Sequence, residues 1–251
     1  MMLIMQAAPL QLVQWDKKMT EIPLVVQKLT NLFENGDTNS HPDYCEDLGD
    51  GRGFTCGIVG FTSATGDALE VVERWTSLRP DNSLAPFLPA LRHLAKSESG
   101  DVDELDGFDA AWVECAGDAG FRGVQDEVAH KLYGAPALKY AQDLGIKSAL
   151  GIACLYDAMV QHGDGDDPDS IGAMLRETTQ KVGRVSELQF IPAFLTIRHN
   201  HLTHAHDAET RKVWAESADR CRVLADLARA GNWELKTPFE VKSSDYDETI
   251  Y

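Results

Sequence analysis

Between Tyr44 and Asp67 the chain reads YCEDLGDGRGFTCGIVGFTSATGD. Gly49, Gly51 and Gly53 allow the backbone to turn tightly around Asp50. Arg52 places a permanent cation among the carboxylates of the same turn, an arrangement that keeps Asp50 ionised, as a general base must be. Asp-Gly is also ordinary turn chemistry, so the aspartate alone decides nothing. From Gly53 to Phe61, GFTCGIVGF mixes aromatic, β-branched and glycine residues in the manner of a small hairpin.

Working outward, this is the only stretch that reads as strand. Elsewhere apolar residues recur three and four apart, and the fold class is mainly α with a small β element. Residues 20–33 form the first expected helix: Thr20 caps its start, Pro23 fits an early turn, and Val25, Val26, Leu29, Leu32 and Phe33 make an apolar stripe. Asn35-Gly36 ends it. Further helices are expected over 66–78, 82–97, 105–117, 121–132, 135–142, 145–162, 169–182, 186–205 and 207–230. Segment 145–162 is apolar on nearly every face except around Asp157, which suits a helix buried between two lobes.

The chain has 251 residues, long enough for one substantial core or two fused lobes. Its formal charge of −17 repels polyanions and argues against nucleic acid or an anionic membrane as partner. No apolar run approaches a membrane span. The opening MMLIMQAAPL lacks the basic region of a signal peptide, and residues 1–15 read as an N-terminal arm that includes Trp15. Cys45, Cys56, Cys115, Cys154 and Cys221 lack metal-site spacing and read mostly as small core residues, with one disulfide, for instance Cys45 to Cys56 across the same turn, left open.

Glu34 falls in the last turn of the first helix, where the macrodipole opposes a carboxylate and so favours its protonated form, as suits a general acid. A helix end followed by a loop and a short sheet can set Glu34 and Asp50 on opposite walls of a cleft, and hydrolysis of a glycosidic bond needs that opposition. The histidines of HNHLTHAH, residues 199–206, point in different directions if they lie on one helix, so no metal is expected. Asp164 to Asp169 lacks the spacing of a calcium loop. Trp75, Trp112, Trp214 and Trp233 read as core.

The 44–67 segment closely resembles the signature of the glycoside hydrolase family 46 chitosanases. The resemblance continues in order through Leu88-Pro89-Ala90-Leu91, Tyr156-Asp157-Ala158, His162-Gly163, Asp167-Pro168, Phe194-Leu195 and Gly231-Asn232. It implies a lysozyme-like α+β fold of two helical lobes joined by a long central helix, with a small antiparallel hairpin beside the cleft. It also implies a monomeric, secreted, cofactor-free enzyme that hydrolyses β-1,4 linkages of chitosan with inversion. By motif position Glu34 resembles the acid, Asp50 the base and Thr55 the hydroxyl that positions water. Asp67 resembles the carboxylate that holds a glucosamine ammonium, with Tyr44 and Arg52 beside it in the cleft. Asp157, Arg198 and Arg211 resemble a supporting ion-pair network. Two departures stand out: the Glu34–Asp50 loop is short and lacks a tryptophan, and Cys56 sits beside the water-positioning threonine. A lysozyme-like hydrolase of chitin or peptidoglycan, or a non-catalytic glycan-binding protein of the same fold, are the alternatives.

Overall fold

A computed structural model describes residues 20–251; the expectations for residues 1–15 and Trp15 lie outside them. Helix α1 spans Leu24–Asn35 and buries Val26, Leu29, Leu32 and Phe33. It starts later than the Thr20 expected from sequence because Pro23 sits in an extended conformation (φ −58°, ψ 143°) and occupies the cap position itself. Gly36, at φ 77°, ends it in the left-handed conformation, its N–H bonding Leu32 O.

Three short antiparallel strands follow in the order β1 (Cys45–Asp47), β2 (Phe54–Cys56) and β3 (Phe61–Thr62). The register sets Cys45 opposite Cys56 and Glu46 opposite Thr55. Helices α2 (Asp67–Leu78), α3 (Leu88–Ser97), α4 (Phe108–Ala116) and α5 (Ala119–Ala129) then pack with the sheet around one core, which contains Phe61, Val72, Leu91, Phe108, Trp112 and Phe121.

From Ala119 the chain stays helical through a π-turn at His130–Gly134 into α6 (Ala135–Leu144). Pro136 has no N–H to give the carbonyl four residues back, and the helix widens just before it. The Ala135 N–H reaches back to His130 O. Phe121, Val124 and Val128 belong to the first core, Ala137 and Ala141 to a second, and Tyr133 packs against both. This continuous helix joins the two cores.

The second core is built from α1, α6, α7 (Ala149–His162), α8 (Ile171–Val182), α9 (Glu187–Thr203) and α11 (Asp219–Arg229), while the exposed α10 (Ala208–Glu216) packs beside α9 through Trp214 on a small cluster of Leu202, Ala218 and Cys221. Helix α7 is buried along its length from Leu150 to Met159, but inside this second core rather than between the two. Its all-round apolarity has that cause, and the joining helix is the amphipathic one before it. The helix expected over 207–230 breaks at Ser217-Ala218 into α10 and α11. A second hairpin, β4 (Phe239–Lys242) with β5 (Asp247–Ile250), lies where no strand is expected from sequence, and seats Val241 and Ile250 on the second core.

Candidate active site

A cleft of about 760 Å³ is lined from both cores, by Glu34, Arg52, Thr55, Asp67, Tyr133 and Trp214 among others. Glu34 stands on the last turn of α1, and Arg220 of α11 donates to its Oε1 at 2.6 Å. The same guanidinium donates to Asp157 Oδ1 (3.1 Å) and to Phe33 O (3.2 Å). Asp157 accepts from Arg198 at its other oxygen, and Arg198 also donates to Gln161 Oε1 (2.7 Å) and His162 Nε2 (3.3 Å). Asp157 and Arg198 are essentially without solvent contact, and Arg220 retains 4%. Two guanidinium groups thus share the buried Asp157 carboxylate, and Arg220 carries the chain on from the core to Glu34. Burial, then the two arginines, push the His162 imidazole well below its usual pKa. His162 therefore presents a neutral ring, edge-on to Trp214 with centroids 4.5 Å apart.

On the other wall the β1–β2 turn carries Asp50, its backbone passing through three glycines at φ 65°, 83° and 69°. Arg52 donates its backbone N–H to Asp50 Oδ1 (3.0 Å), and its Nε (2.9 Å) and Nη2 (2.7 Å) to Oδ2. Partial burial acts to raise the Asp50 pKa, but these charge-assisted bonds outweigh it and hold the carboxyl below the usual carboxylate range. Arg52 lines the cleft; Asp50 is not among the lining residues. Thr55 points from β2 with its hydroxyl buried and, among the described residues, without a hydrogen-bond partner. Asp67 opens α2: its Oδ1 accepts from Thr62 N (2.8 Å), Thr65 Oγ1 (2.7 Å) and Ala68 N (3.0 Å), and its Oδ2 from Tyr133 Oη (2.8 Å).

The sequence from residue 28 to residue 239 matches the model of glycosyl hydrolase family 46. The chain belongs to that family. It is 45% identical over 229 residues to a chitosanase of Bacillus subtilis (strain 168), covering 89% of this chain and 83% of that protein. A chitosanase of Streptomyces sp. (strain N174) is 37% identical over 227 residues, covering 87% and 78%. Among solved structures, a family 46 chitosanase of Gynuella sunshinyii in complex with chitotetraose superimposes with a TM-score of 0.88 at 39% identity, covering 93% of this chain and 98% of that one. Native chitosanase from Bacillus subtilis MY002 gives 0.87 at 44%, covering 91% and 97%. The fold is lysozyme-like and the protein is a glycoside hydrolase.

Within the hydrolase, Tyr44 lines the cleft and donates to Glu46 Oε2 at 3.2 Å. Of the three residues read as an ion-pair network, Asp157 and Arg198 bond each other, and Arg211 lies elsewhere. Arg211 lies on exposed α10 and gives its Nε to Ala205 O (2.8 Å). The second arginine is Arg220, because the break at Ser217-Ala218 turns α11 inward and carries Arg220 to Asp157 and Glu34.

Tyr133 is a second residue that sequence reasoning missed. The π-turn aims it at Asp67, and burial, then the Asp67 carboxylate, push its phenol far above its usual pKa, so it donates. Pro136 three residues later was the available signal. Trp75 and Trp112 are core, as their stripes suggest, whereas Trp214 faces the cleft. In the histidine run, α9 ends at Thr203, so His201 and His206 turn to one carboxylate: both Nδ1 atoms meet Asp169 Oδ1 (2.6 and 3.0 Å). The His206 N–H bonds Asp169 Oδ2 (2.7 Å), latching the Asp169 loop to the α9–α10 turn outside the cleft.

Proposed function

We propose that this hydrolase is an endo-acting chitosanase that cleaves β-1,4 linkages between glucosamine units with inversion, Glu34 acting as general acid and Asp50 as general base. Two differently held acids support the reading: Glu34 lines the cleft on a helix end fixed by Arg220, and Asp50 is kept ionised on the β1–β2 turn, whose Arg52 lines the same cleft. Glu34 protonates the glycosidic oxygen as the bond to the anomeric carbon breaks. Water attacks that carbon from the opposite face and yields its proton to Asp50.

An ionised carboxylate offers about four lone-pair sites. Arg52 engages one on Asp50 Oδ1 and two on Oδ2, so Oδ1 keeps capacity for the water. The unpartnered Thr55 hydroxyl is the second group that orients this water, since a buried hydroxyl without a partner is otherwise a cost to the fold.

Substrate charge follows from the cleft's own balance. Arg52 spends its charge on Asp50 and Arg220 on Asp157, while among the described residues Asp67 faces the cleft with neutral donors around it. A carboxylate so placed favours a glucosamine ammonium over an acetamide. The relatives in complex with chitotetraose or with six glucosamine units support the same substrate class. Since chitosan is a polymer met outside the cell, the enzyme acts after export.

The test combines substrate, stereochemistry and variants. Release of reducing ends is expected from deacetylated chitosan and not from chitin or peptidoglycan, with the α-anomer appearing first in the product spectrum. Glu34→Gln and Asp50→Asn each lower kcat by a factor of about 10²–10⁴ with the fold retained. Activity on chitin alone, a β-anomer product, or near-normal turnover in either variant would each sink the part of the proposal it addresses.

A further inference from the structure

Cys45 and Cys56 stand directly opposite each other on β1 and β2, eleven residues apart in sequence, and between them lie Asp50, Arg52 and Thr55. Their place in the ladder is specific. Gly57 N–H bonds Tyr44 O at 2.8 Å on the next pair outward. Because hydrogen-bonded and non-hydrogen-bonded pairs alternate along antiparallel strands, the Cys45–Cys56 pair is of the non-hydrogen-bonded kind, whose Cα atoms are about 4.5 Å apart and whose side chains converge on one face. That separation falls within the range that a disulfide spans, about 4.4–6.8 Å.

The sulfur atoms are 2.8 Å apart, well inside the roughly 3.5–4.0 Å at which non-bonded heavy atoms rest. The surroundings give the pair little freedom to separate. Gln125 binds Ile58 N (3.2 Å) and Pro42 O (2.9 Å), and Trp112 also donates to Pro42 O (2.9 Å), so the chain just before β1 and just after β2 is pinned to α4 and α5. Cys56 has no solvent contact, whereas Cys45 is half-buried.

We infer that Cys45 and Cys56 are a covalent cross-link site, joined as a disulfide that closes the turn bearing Asp50, Arg52 and Thr55. The oxidant is a second disulfide, small-molecule or protein, reached through the half-buried Cys45. The Cys45 thiolate attacks it and expels one thiolate, leaving a mixed disulfide. Cys56 gives up its proton to a thiolate or to solvent base, and its sulfur attacks Cys45 Sγ and expels the second thiolate. The two cysteines lose two electrons and two protons, and the oxidant disulfide becomes two thiols. The remaining cysteines, Cys115, Cys154 and Cys221, are buried on other elements and stay reduced. The bond restricts the unfolded chain and holds both walls of the turn in register while Asp50 and Thr55 act.

The experiment exposes the purified full chain to oxidised glutathione, removes the excess, denatures without reductant and counts thiols with a chromogenic disulfide reagent. Three of the five cysteines should react, and peptide mapping should show the segments containing Cys45 and Cys56 joined and two hydrogens lighter than the pair of free peptides. Reduction with dithiothreitol should return five thiols and lower Tm by on the order of 5–10 °C. Cys45→Ala should keep four thiols and lose the dependence of Tm on reductant. Five reactive thiols after oxidation, two separate glutathione adducts, or a bond from Cys45 to another cysteine overturns the assignment, and mapping of the unmutated chain decides it even if the variant folds poorly.

Discussion

Replacing Asp157 with asparagine removes one negative charge from a place where the protein has buried two positive ones. Arg198, without solvent contact, would be left with Gln161 Oε1, His162 Nε2 and the Asp157 carbonyl, all neutral acceptors. Among the described residues Arg220 would keep Glu34 Oε1 at 2.6 Å and Phe33 O at 3.2 Å. Stripping one member from a buried ion pair costs about 3–5 kcal/mol, chiefly because the partner charge stays buried and uncompensated. At about 2–4 °C per kcal/mol for a chain of this size, Tm should fall by roughly 6–20 °C. Against the ~5–15 kcal/mol that holds typical domains together, the variant stays folded at 25 °C with a reduced margin.

Thermal and urea melts at neutral pH measure the loss. Arg222→Ala is the internal control. Its pair with Asp219 (2.7 Å) is about half exposed at the arginine, and such pairs contribute about 0–1 kcal/mol. Replacing Asp157 and Arg198 together by leucine and methionine should cost less than Asp157→Asn alone, because Arg198 is then not left buried without its counter-charge. If Asp157→Asn melts within about 1 kcal/mol of the parent, or if the double replacement costs more than the single one, the network does not work as a compensated charge chain and its support of Glu34 must be abandoned.

Two further outcomes follow from the site and its flank. Thr55→Val removes a buried hydroxyl that has no partner among the described residues, so Tm should hold or rise while kcat falls by on the order of 10²-fold, and Thr55→Ser should recover most of the rate; a matching loss of stability and rate would make Thr55 a packing residue only. At Asp169, burial raises the pKa but the His206 N–H and the His201 and His206 rings outweigh it and hold the carboxyl below its usual value. A folded pKa below the unfolded one means stability that is present above about pH 4 and lost as the pH falls through the folded value, so the fall of Tm with acid should be shallower in Asp169→Asn, and parallel curves would show that the latch carries no linkage.

What could be read from the chain alone was whatever short-range chemistry determines. The glycines at 49, 51 and 53 with Arg52 announce a charged turn, and the turn is there with Asp50 gripped by its second neighbour. Gly36 marks the end of α1 because a left-handed residue is needed there. The strands at 239–242 and 247–250 escaped because FEVK and DETI bury only Val241 and Ile250, too little contrast for a period of two to show. The position of the joining helix escaped for the opposite reason. Uniform apolarity made 145–162 look central, when it signals enclosure within one core, and the helix between the cores has to be amphipathic in two registers, one for each.

Arg211 and Arg220 show where sequence reading stops. Both precede stretches of helical spacing, and nothing in either neighbourhood says which one turns inward. The answer depends on a break at Ser217-Ala218, and Ser217 is positioned partly by Gln161, one turn beyond Asp157 on α7, which donates to its hydroxyl at 2.6 Å. The same Gln161 accepts from Arg198. One side chain thus fixes the helix start that delivers Arg220 and also supports the arginine on the far side of Asp157. Positions 34, 157, 161, 198 and 220 are joined only by folding, so the environment of Glu34 is a property of the packed second core, whereas that of Asp50 is written almost entirely in residues 49–55. The two halves of the site therefore differ in how they fail: a change in the turn should alter catalysis with little effect on melting, and a change in the network should lower Tm before it is seen to alter the chemistry.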